Sequence, residues 1–160
     1  MADLEELYRE IILDHYRSPR NRGELESPPA HRVEGFNPLC GDEVVVSLIV
    51  ENGTLADLKI GGSGCSISQS SASLMSAAVK GKPLDEVHQL IHTFKGMMSI
   101  HEASLGKDGE VDEPEIIDLD KLGELAALQG VVKFPVRIKC ATLSWNALAQ
   151  GLDEVAAEAS

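Results

Sequence analysis

The sequence predicts an α+β domain, in which helices pack on one face of a small three-stranded antiparallel sheet. Residues 43–60 have a strand–turn–strand pattern, and segments with helical periodicity precede and follow it. The length of 160 residues fits one domain with its own hydrophobic core. We therefore expect residues 1–160 to form a single domain.

The first element is predicted to be an amphipathic helix over residues 3–16. Its inward face is formed by apolar residues at helical spacing, namely Leu4, Leu7, Ile11 and Ile12. The helix is expected to end before residues 17–31, where three prolines disfavour regular structure.

The sheet is predicted from a β-hairpin around Asn52 and Gly53, a pair that supplies the two positive φ angles of a tight turn. The residues expected on the buried face alternate along both strands, namely Val44, Val46, Leu48 and Val50, then Ala56, Leu58 and Ile60. Because two strands alone are marginally stable, a third and shorter strand is expected at residues 32–35.

Helices are predicted over much of the remaining chain. Residues 66–80 form the first of them, and a second begins after Pro83. That second helix is expected to extend to residue 98, and the polar, acidic stretch at residues 101–121 is expected to be a loop or an insertion. A short helix follows at residues 122–131, and the last helix is expected from about Thr142, after an extended segment.

The charge of the chain disfavours several classes of function. A formal net charge of −12 argues against nucleic acid and anionic membrane surfaces as partners, because phosphate binding requires clustered lysine and arginine. No apolar run reaches the ~18 residues that span a bilayer. The N-terminus "MADLEELYREII" lacks the pattern of a secretory signal. We expect a cytoplasmic protein.

Three cysteines, Cys40, Cys65 and Cys140, each lie at a junction between predicted elements. An odd number in a reducing compartment disfavours a disulfide framework. Antiparallel pairing of the hairpin places Cys40 and Cys65 at the same edge of the predicted sheet. Cys65 and Cys140 are each expected to open a helix, where free backbone N–H groups favour the thiolate, the form that binds metals and acts as a nucleophile.

A zinc ion bound by three thiolates requires a fourth donor, because such sites are usually tetrahedral. Asp42, two residues after Cys40, is the candidate. Four negative donors around Zn²⁺ leave a formal charge of −2, and Arg137 and Lys139 are the nearest basic residues in sequence. With no C-x-x-C spacing in the chain, two interpretations remain open: a shared metal site, or three separate cysteines buried as small hydrophobic side chains.

Three cysteine-containing stretches, "NPLCGDEVVVSLIV", "GGSGCSISQSSASLM" and "RIKCATLSW", together resemble the signature of the U-type iron–sulfur assembly family. The N-terminal "LYREIILDHYRSPRNRG" is similar to that family too, so the resemblance covers nearly the whole chain. It implies a SufE/IscU-like fold, in which helices pack against a three-stranded antiparallel sheet and the cysteines cluster at one exposed end.

Two features resemble the SufU-like branch of this family, the zinc-dependent sulfur transferases, rather than the IscU-like scaffolds. In the scaffolds a histidine stands directly before the third cysteine, whereas this sequence has Lys139 there. The stretch from about residue 96 to 120 is similar to an insertion typical of the SufU-like branch.

The resemblance implies Zn²⁺ held by Cys40, Asp42, Cys65 and Cys140. It also implies that a pyridoxal-phosphate-dependent, SufS-like cysteine desulfurase delivers persulfide sulfur to Cys40, the expected catalytic residue, and that the sulfur passes on toward a downstream iron–sulfur scaffold. Transfer is feasible if a partner residue, such as a histidine, replaces Cys40 on the metal. Two alternatives stay open: an IscU-like scaffold that assembles a [2Fe–2S] cluster, and a zinc-stabilised adaptor that activates the desulfurase without carrying sulfur.

The remaining candidates are basic residues and histidines. His15 lies in the N-terminal stretch that resembles the family, which implies a contact with the desulfurase; the alternative is a surface residue near a helix end. Arg137 and Lys139 are expected to compensate charge at the metal or to contact the partner; the alternative is plain surface charge. His88 and His92 share a helix face at i, i+4, and we expect a solvated face rather than a metal pair.

Overall fold

The computed structural model describes residues 4–26, 30–38, 41–104, 123–133 and 135–159. Its elements in chain order are helix α1 (Leu4–Arg17), strands β1 (His31–Asn37), β2 (Asp42–Glu51) and β3 (Thr54–Ser63), helices α2 (Ser66–Val79) and α3 (Leu84–Ser104), a 3₁₀ helix (Gly123–Lys133) and helix α4 (Pro135–Ala159).

The three strands form one antiparallel sheet in the order β1-β2-β3, and helices pack against it, which confirms the predicted fold class. The turn between β2 and β3 has positive φ angles at Asn52 (53°) and Gly53 (73°), as the hairpin prediction requires. The third strand is longer than expected, since β1 covers seven residues and pairs along its whole length with β2.

A register shift in the β2–β3 hairpin changes the predicted buried face of β3. Ile49 pairs with Asp57, but the next residue, Val50, pairs with Leu55, so Ala56 is the extra residue of a β-bulge. Leu55 is consequently fully buried and Ala56 is half-buried. The expectation that Ala56 belongs to the alternating buried face is therefore wrong, because strict alternation does not continue through a bulge.

The outer edge of β3 is covered by the chain segment that follows α1. The backbone N–H of Gly23 donates to the Ile60 carbonyl at 3.1 Å, and the Ile60 N–H donates to the Asn21 carbonyl at 2.9 Å. These bonds satisfy backbone groups that an open edge strand would expose. Residues 21–23 thereby lie alongside β3 at the edge of the sheet.

The helices are tied together by stacked rings and a buried serine. Phe94 of α3 stacks on Trp145 of α4 with ring centroids 4.2 Å apart. The indole Nε1 of Trp145 donates to Ser71 Oγ of α2 at 3.1 Å, and the Ser71 hydroxyl donates to the Ala141 carbonyl at 2.5 Å. Because all four of these residues are buried, α2 and α4 are fixed relative to each other close to Cys140.

Helix α3 continues to Ser104, so the loop expected at residues 101–121 is wrong for residues 101–104. The helix extends because Met97 and Met98 are buried and continue the apolar stripe that includes Ile91 and Phe94. The rest of the expected insertion, from residue 105 to 121, lies outside the described residues. The short helix predicted near residue 122 is the 3₁₀ helix.

Helix α1 has the predicted length, but one of its predicted inward residues is exposed. Leu7 is 48% exposed, whereas Tyr8, Ile11 and Ile12 are partly buried against the core. Among the helices of the described ranges, none combines the length and apolarity needed to cross a membrane.

Two glycine-to-alanine substitutions are expected to change stability in opposite directions. Gly53 has a φ of +73° and Gly96 lies within α3, and at both positions a Cβ would meet no atom within 4 Å. Gly53→Ala should lower the free energy of unfolding by about 1 kcal/mol, because a residue with a Cβ is strained at positive φ. Gly96→Ala should raise it by about 0.5 kcal/mol, because alanine favours the helix.

Urea denaturation of the two variants and the wild type measures both changes. Shifts of the same sign in the two variants would contradict the assigned backbone conformations.

Candidate metal centre

Three potential metal donors from distant parts of the chain meet at one edge of the sheet. They are Asp42, the first residue of β2, Cys65, directly before α2, and Cys140, in the second turn of α4. One donor atom from each residue lies within 4.8 Å of the other two. Asp42 and Cys140 are fully buried, whereas Cys65 is half-buried, so the cluster is closest to solvent at Cys65.

The register of the sheet explains why Asp42 and Cys65 are neighbours. Glu43 pairs with Ser63, so β2 begins where β3 ends, and Cys65 follows Ser63 by two residues. The predicted hairpin geometry thus brings its two outer ends to one edge. Cys40, the other residue predicted at this edge, lies outside the described residues.

Cys65 is the N-cap of α2, as the sequence predicts for this residue. Its backbone has the extended conformation of a cap, and its Sγ accepts a hydrogen bond from the Ser68 backbone N–H at 3.4 Å. The Cys65 backbone N–H donates to Asp42 Oδ1 at 2.8 Å. Amide donors at the start of α2 therefore contact both the sulfur of Cys65 and the carboxylate of Asp42.

The electrostatic surroundings of Asp42 favour its ionised form. Burial raises the pKa of this carboxyl, but hydrogen bonds from the Cys65 backbone N–H and from the side chains of Cys140, Cys65 and Ser68 lower it by more. The pKa of Asp42 consequently lies below its ordinary value of 3.8. A buried carboxylate that stays ionised is a suitable donor for a cation.

Cys140 lies inside a helix rather than at its start, which corrects the prediction for this residue. Helix α4 begins at Pro135, and the Cys140 Sγ lies 3.9 Å from the Val136 carbonyl one turn earlier. Proline favours the first position of a helix, and Ile138, Ala141 and Trp145 are buried at helical spacing. The proline and the burial of these side chains together outweigh the preference of the segment's β-branched residues for a strand. The thiol therefore faces the cluster from the side of α4.

The two basic residues predicted to balance the charge both lie on the exposed side of α4. Arg137 and Lys139 are exposed, whereas Cys140 beside them is fully buried. Their roles as charge compensators or partner contacts stay predictions. Another arginine, Arg22, contacts the chain on both sides of Cys65. Its guanidinium donates to the Gly62 carbonyl at 2.6 Å and to Gln69 Oε1 at 2.8 Å.

His15 is buried, with 2% of its surface exposed, so the alternative of a surface residue is wrong. Its Nδ1 lies 2.7 Å from Ser73 Oγ and its Nε2 lies 3.1 Å from Glu124 Oε2. It thus joins α1, α2 and the 3₁₀ helix, and its contact with a partner protein stays a prediction. His88 and His92 are exposed, as expected for a solvated face.

Asn37 and Gly64 complete the site, and the sequence interpretation did not single them out. Asn37 pairs with Asp42 across the β1–β2 hairpin, and its Nδ2 lies near the donor atoms of Asp42 and Cys140. A Cβ at Gly64 would lie 2.5 Å from Asp42 Oδ1, so only glycine allows this close approach. The sequence does contain a signal for Asn37. In "NPLCGD" only four residues separate Asn37 from Asp42, and residues that flank such a short connection between strands are expected to pair.

The donor set fits a zinc ion. In a tetrahedral site, zinc–sulfur bonds of about 2.3 Å and zinc–oxygen bonds of about 2.1 Å put any two ligand atoms roughly 3.6–3.8 Å apart. The donor atoms of Asp42, Cys65 and Cys140 lie within 4.8 Å of one another, so movements of about 1 Å bring them to these separations. Neither cysteine is in a disulfide, so both sulfurs are available as ligands.

The fold and the donor cluster define a class of protein, that of the U-type iron–sulfur assembly domains. The chain belongs to the family described as the NifU-like N terminal domain, which matches residues 7–141. A crystal structure from Brucella abortus, of the N-terminal part of a NifU-like nitrogen-fixing protein, has the same fold with a TM-score of 0.74 at 21% identity.

Individual relatives are similar over almost their whole length. The zinc-dependent sulfurtransferase SufU of Bacillus subtilis is 42% identical over 94% of this chain and 92% of its own. The iron–sulfur cluster assembly scaffold protein IscU of Streptococcus pyogenes is 35% identical over 95% of this chain and 86% of its own.

A crystal structure from Fervidobacterium islandicum has a TM-score of 0.75 at 30% identity. The comparison covers 94% of this chain and 99% of that one. That protein is described as a candidate iron–sulfur cluster assembly scaffold for the SUF system.

Gly64→Ala is expected to weaken metal binding, because the new Cβ displaces the Asp42 carboxylate and the Ser68 hydroxyl, which would lie 2.5 and 2.6 Å away. The affinity for Zn²⁺ should fall by about ten- to a hundred-fold, the usual effect of disturbing the groups that orient a ligand. Competition with a chromophoric chelator measures this change.

The matched control is Gly61→Ala, three residues earlier, where a Cβ makes ordinary contacts at 3.5 Å or more. Gly61→Ala should bind zinc like the wild type. Equal zinc affinities for both variants would show that Asp42 is not held where the structure has it.

Proposed function

We propose that this protein is a zinc-dependent sulfurtransferase of iron–sulfur cluster assembly. In this proposal it accepts persulfide sulfur from a pyridoxal-phosphate-dependent cysteine desulfurase and passes the sulfur toward a downstream iron–sulfur scaffold. The observation that carries the proposal is the meeting of Asp42, Cys65 and Cys140 at one sheet edge, with donor atoms within 4.8 Å of one another. The similarity to a zinc-dependent sulfurtransferase, 42% identical along nearly the whole chain, supports it.

Zinc would be held by Asp42, Cys65 and Cys140, with Cys40 as the fourth donor. Cys40 precedes Asp42 by two residues, so chain connectivity keeps its Cα within about 7.6 Å of the Asp42 Cα. Zinc supplies a redox-inert centre that holds thiolates without oxidising them.

The three described donors are fixed by hydrogen bonds that come from residues other than Cys40. The Cys65 N–H holds Asp42, the Ser68 N–H holds the Cys65 sulfur, and the Asn37 amide lies against Asp42 and Cys140. This framework supports Cys40 as the cysteine that can leave the site and react. Departure of Cys40 would leave three protein ligands, the number that catalytic zinc sites have.

The Cys40 thiolate would act as the nucleophile. Its sulfur forms a bond to the terminal sulfur of the partner's persulfide, the bond between the two persulfide sulfurs breaks, and the partner's cysteine leaves as a thiolate. The transferred sulfur keeps its proton and its oxidation state. The exchange therefore needs no external oxidant or reductant.

The main alternative is a scaffold on which a [2Fe–2S] cluster is assembled, and the 35% identity to an IscU scaffold protein favours it. Lys139 argues for the transferase. Its side chain is exposed on α4, and a lysine ammonium has three donors and no lone pair for a metal. The position before Cys140 therefore cannot supply a cluster ligand in the way that a histidine could.

We expect Cys40→Ala to abolish sulfur acceptance. The purified wild-type protein, incubated with a cysteine desulfurase and cysteine, should gain one sulfur atom on Cys40 and should increase desulfurase turnover. The Cys40→Ala variant should gain none and should not stimulate, because it lacks the attacking sulfur. Mass spectrometry of alkylated peptides and a sulfide-release assay measure the two effects.

A Lys95→Ala variant on α3, far along the chain from the cluster residues, serves as the control and should behave like the wild type. Stimulation by Cys40→Ala at the wild-type level would contradict sulfur acceptance and favour an adaptor. An iron–sulfur chromophore that passes to an acceptor without any dependence on zinc would favour the scaffold.

A further inference from the structure

Asn37 is a buried polar side chain that touches two of the three clustered donors. It is the last residue of β1, it is 5% exposed, and it pairs with Asp42 in the sheet register. Its Nδ2 lies 3.4 Å from Asp42 Oδ2 and 3.6 Å from Cys140 Sγ. One amide group therefore reaches ligand atoms on β2 and on α4, elements that are about a hundred residues apart in sequence.

We propose that Asn37 is a positioning residue of the metal centre, whose amide N–H groups hold the Asp42 carboxylate and the Cys140 sulfur in the arrangement that receives zinc. This inference rests on the proposed function, since it assigns a role at the same site. It adds a residue that acts through the ligands rather than on the metal itself.

The chemistry of the neighbours determines which end of the amide faces them. A carboxylate only accepts hydrogen bonds, and so does the thiolate form in which a cysteine binds a metal, whereas the amide nitrogen carries two donors and the amide oxygen carries none. With the oxygen turned toward them, Asn37 would add a third partial negative charge to the group. The nitrogen therefore faces Asp42 and Cys140, and each acceptor has one N–H available.

The carboxylate of Asp42 is held at both of its oxygens. Oδ1 accepts from the Cys65 backbone N–H at 2.8 Å, and Oδ2 accepts from Asn37 at 3.4 Å. Two donors on different elements, one at each oxygen, fix the plane of the carboxylate. Loss of the Asn37 contact would free one side of the carboxylate.

Asn37 also supplies hydrogen-bond donors to the negatively charged ligands of the proposed metal centre. Arg137 and Lys139 lie on the exposed side of α4, whereas Asn37 donates to Asp42 and Cys140 from within the buried part of the site. Hydrogen-bond donors stabilise buried anionic groups without adding a competing charge of their own. An aspartate at this position would keep the shape, remove both donors and add a negative charge next to two anionic ligands.

Cobalt substitution tests the proposal, because Co²⁺ occupies zinc sites and its visible absorption reports on the ligand geometry. Titration of the metal-free full chain with Co²⁺ should show thiolate-to-cobalt charge transfer in the wild type. Asn37→Asp should bind Co²⁺ about ten- to a hundred-fold more weakly and should give shifted visible bands. Asn37→Ser, which keeps one donor, should lose less affinity than Asn37→Asp.

Asn146→Asp is the matched control, because it makes the same chemical change at an exposed position of α4. It should bind Co²⁺ with wild-type affinity and with the wild-type spectrum. A purely structural role for Asn37 would lower the stability of the metal-free protein but leave the cobalt spectrum of the folded variant unchanged, and that result would overturn the proposal.

The outcomes separate this inference from the function on which it rests. If the wild type binds Co²⁺ through thiolates and Asn37→Asp matches it in affinity and spectrum, Asn37 is not a positioning residue and the proposed function stands. If the wild type binds neither Zn²⁺ nor Co²⁺, both the role of Asn37 and the proposed function are wrong. If Asn37→Asp does not fold, Asn37→Ser decides, and wild-type affinity and spectrum in that variant overturn the inference.

Discussion

The hydrogen bond from the Cys65 backbone N–H to the Asp42 carboxylate, 2.8 Å long, ties the start of α2 to the start of β2. It exists because the β2–β3 hairpin returns the chain to the edge where β2 begins. The bond contributes to the lowered pKa of Asp42, against the effect of burial. It also requires Gly64 between the strand and the helix, since a side chain there would meet the carboxylate. Much of the geometry of the site depends on this one contact.

A second constraint brings the remaining donor to the same place. The buried hydroxyl of Ser71 on α2 bonds the Ala141 carbonyl on α4 and accepts from Trp145, which stacks on Phe94 of α3. Ala141 directly follows Cys140, so this contact fixes the distance of the Cys140 backbone from α2. The hydrophobic core and the donor cluster are thus coupled, and the packing of three helices positions one of the ligands.

The sequence predicted those features that depend on local pattern. The hairpin follows from Asn52 and Gly53, and the role of Cys65 at the start of α2 follows from a glycine-rich stretch before a helical one. Features that depend on tertiary packing were missed. The segment before Cys140 has β-branched residues but is helical, because Pro135 favours a helix start and the periodic apolar side chains bury themselves on the core. The burial of His15 depends on Ser73, which lies 58 positions away and leaves no signal in the local sequence.

In the proposed function, distant donors form one zinc site with mixed sulfur and oxygen ligands, and this site serves sulfur transfer. X-ray absorption at the zinc edge of the purified protein tests it most directly. We expect three sulfur neighbours at about 2.3 Å, from Cys40, Cys65 and Cys140, and one oxygen at about 2.0–2.2 Å, from Asp42. A zinc shell made of nitrogen and oxygen alone, or protein that carries an iron–sulfur cluster and no zinc, would contradict it.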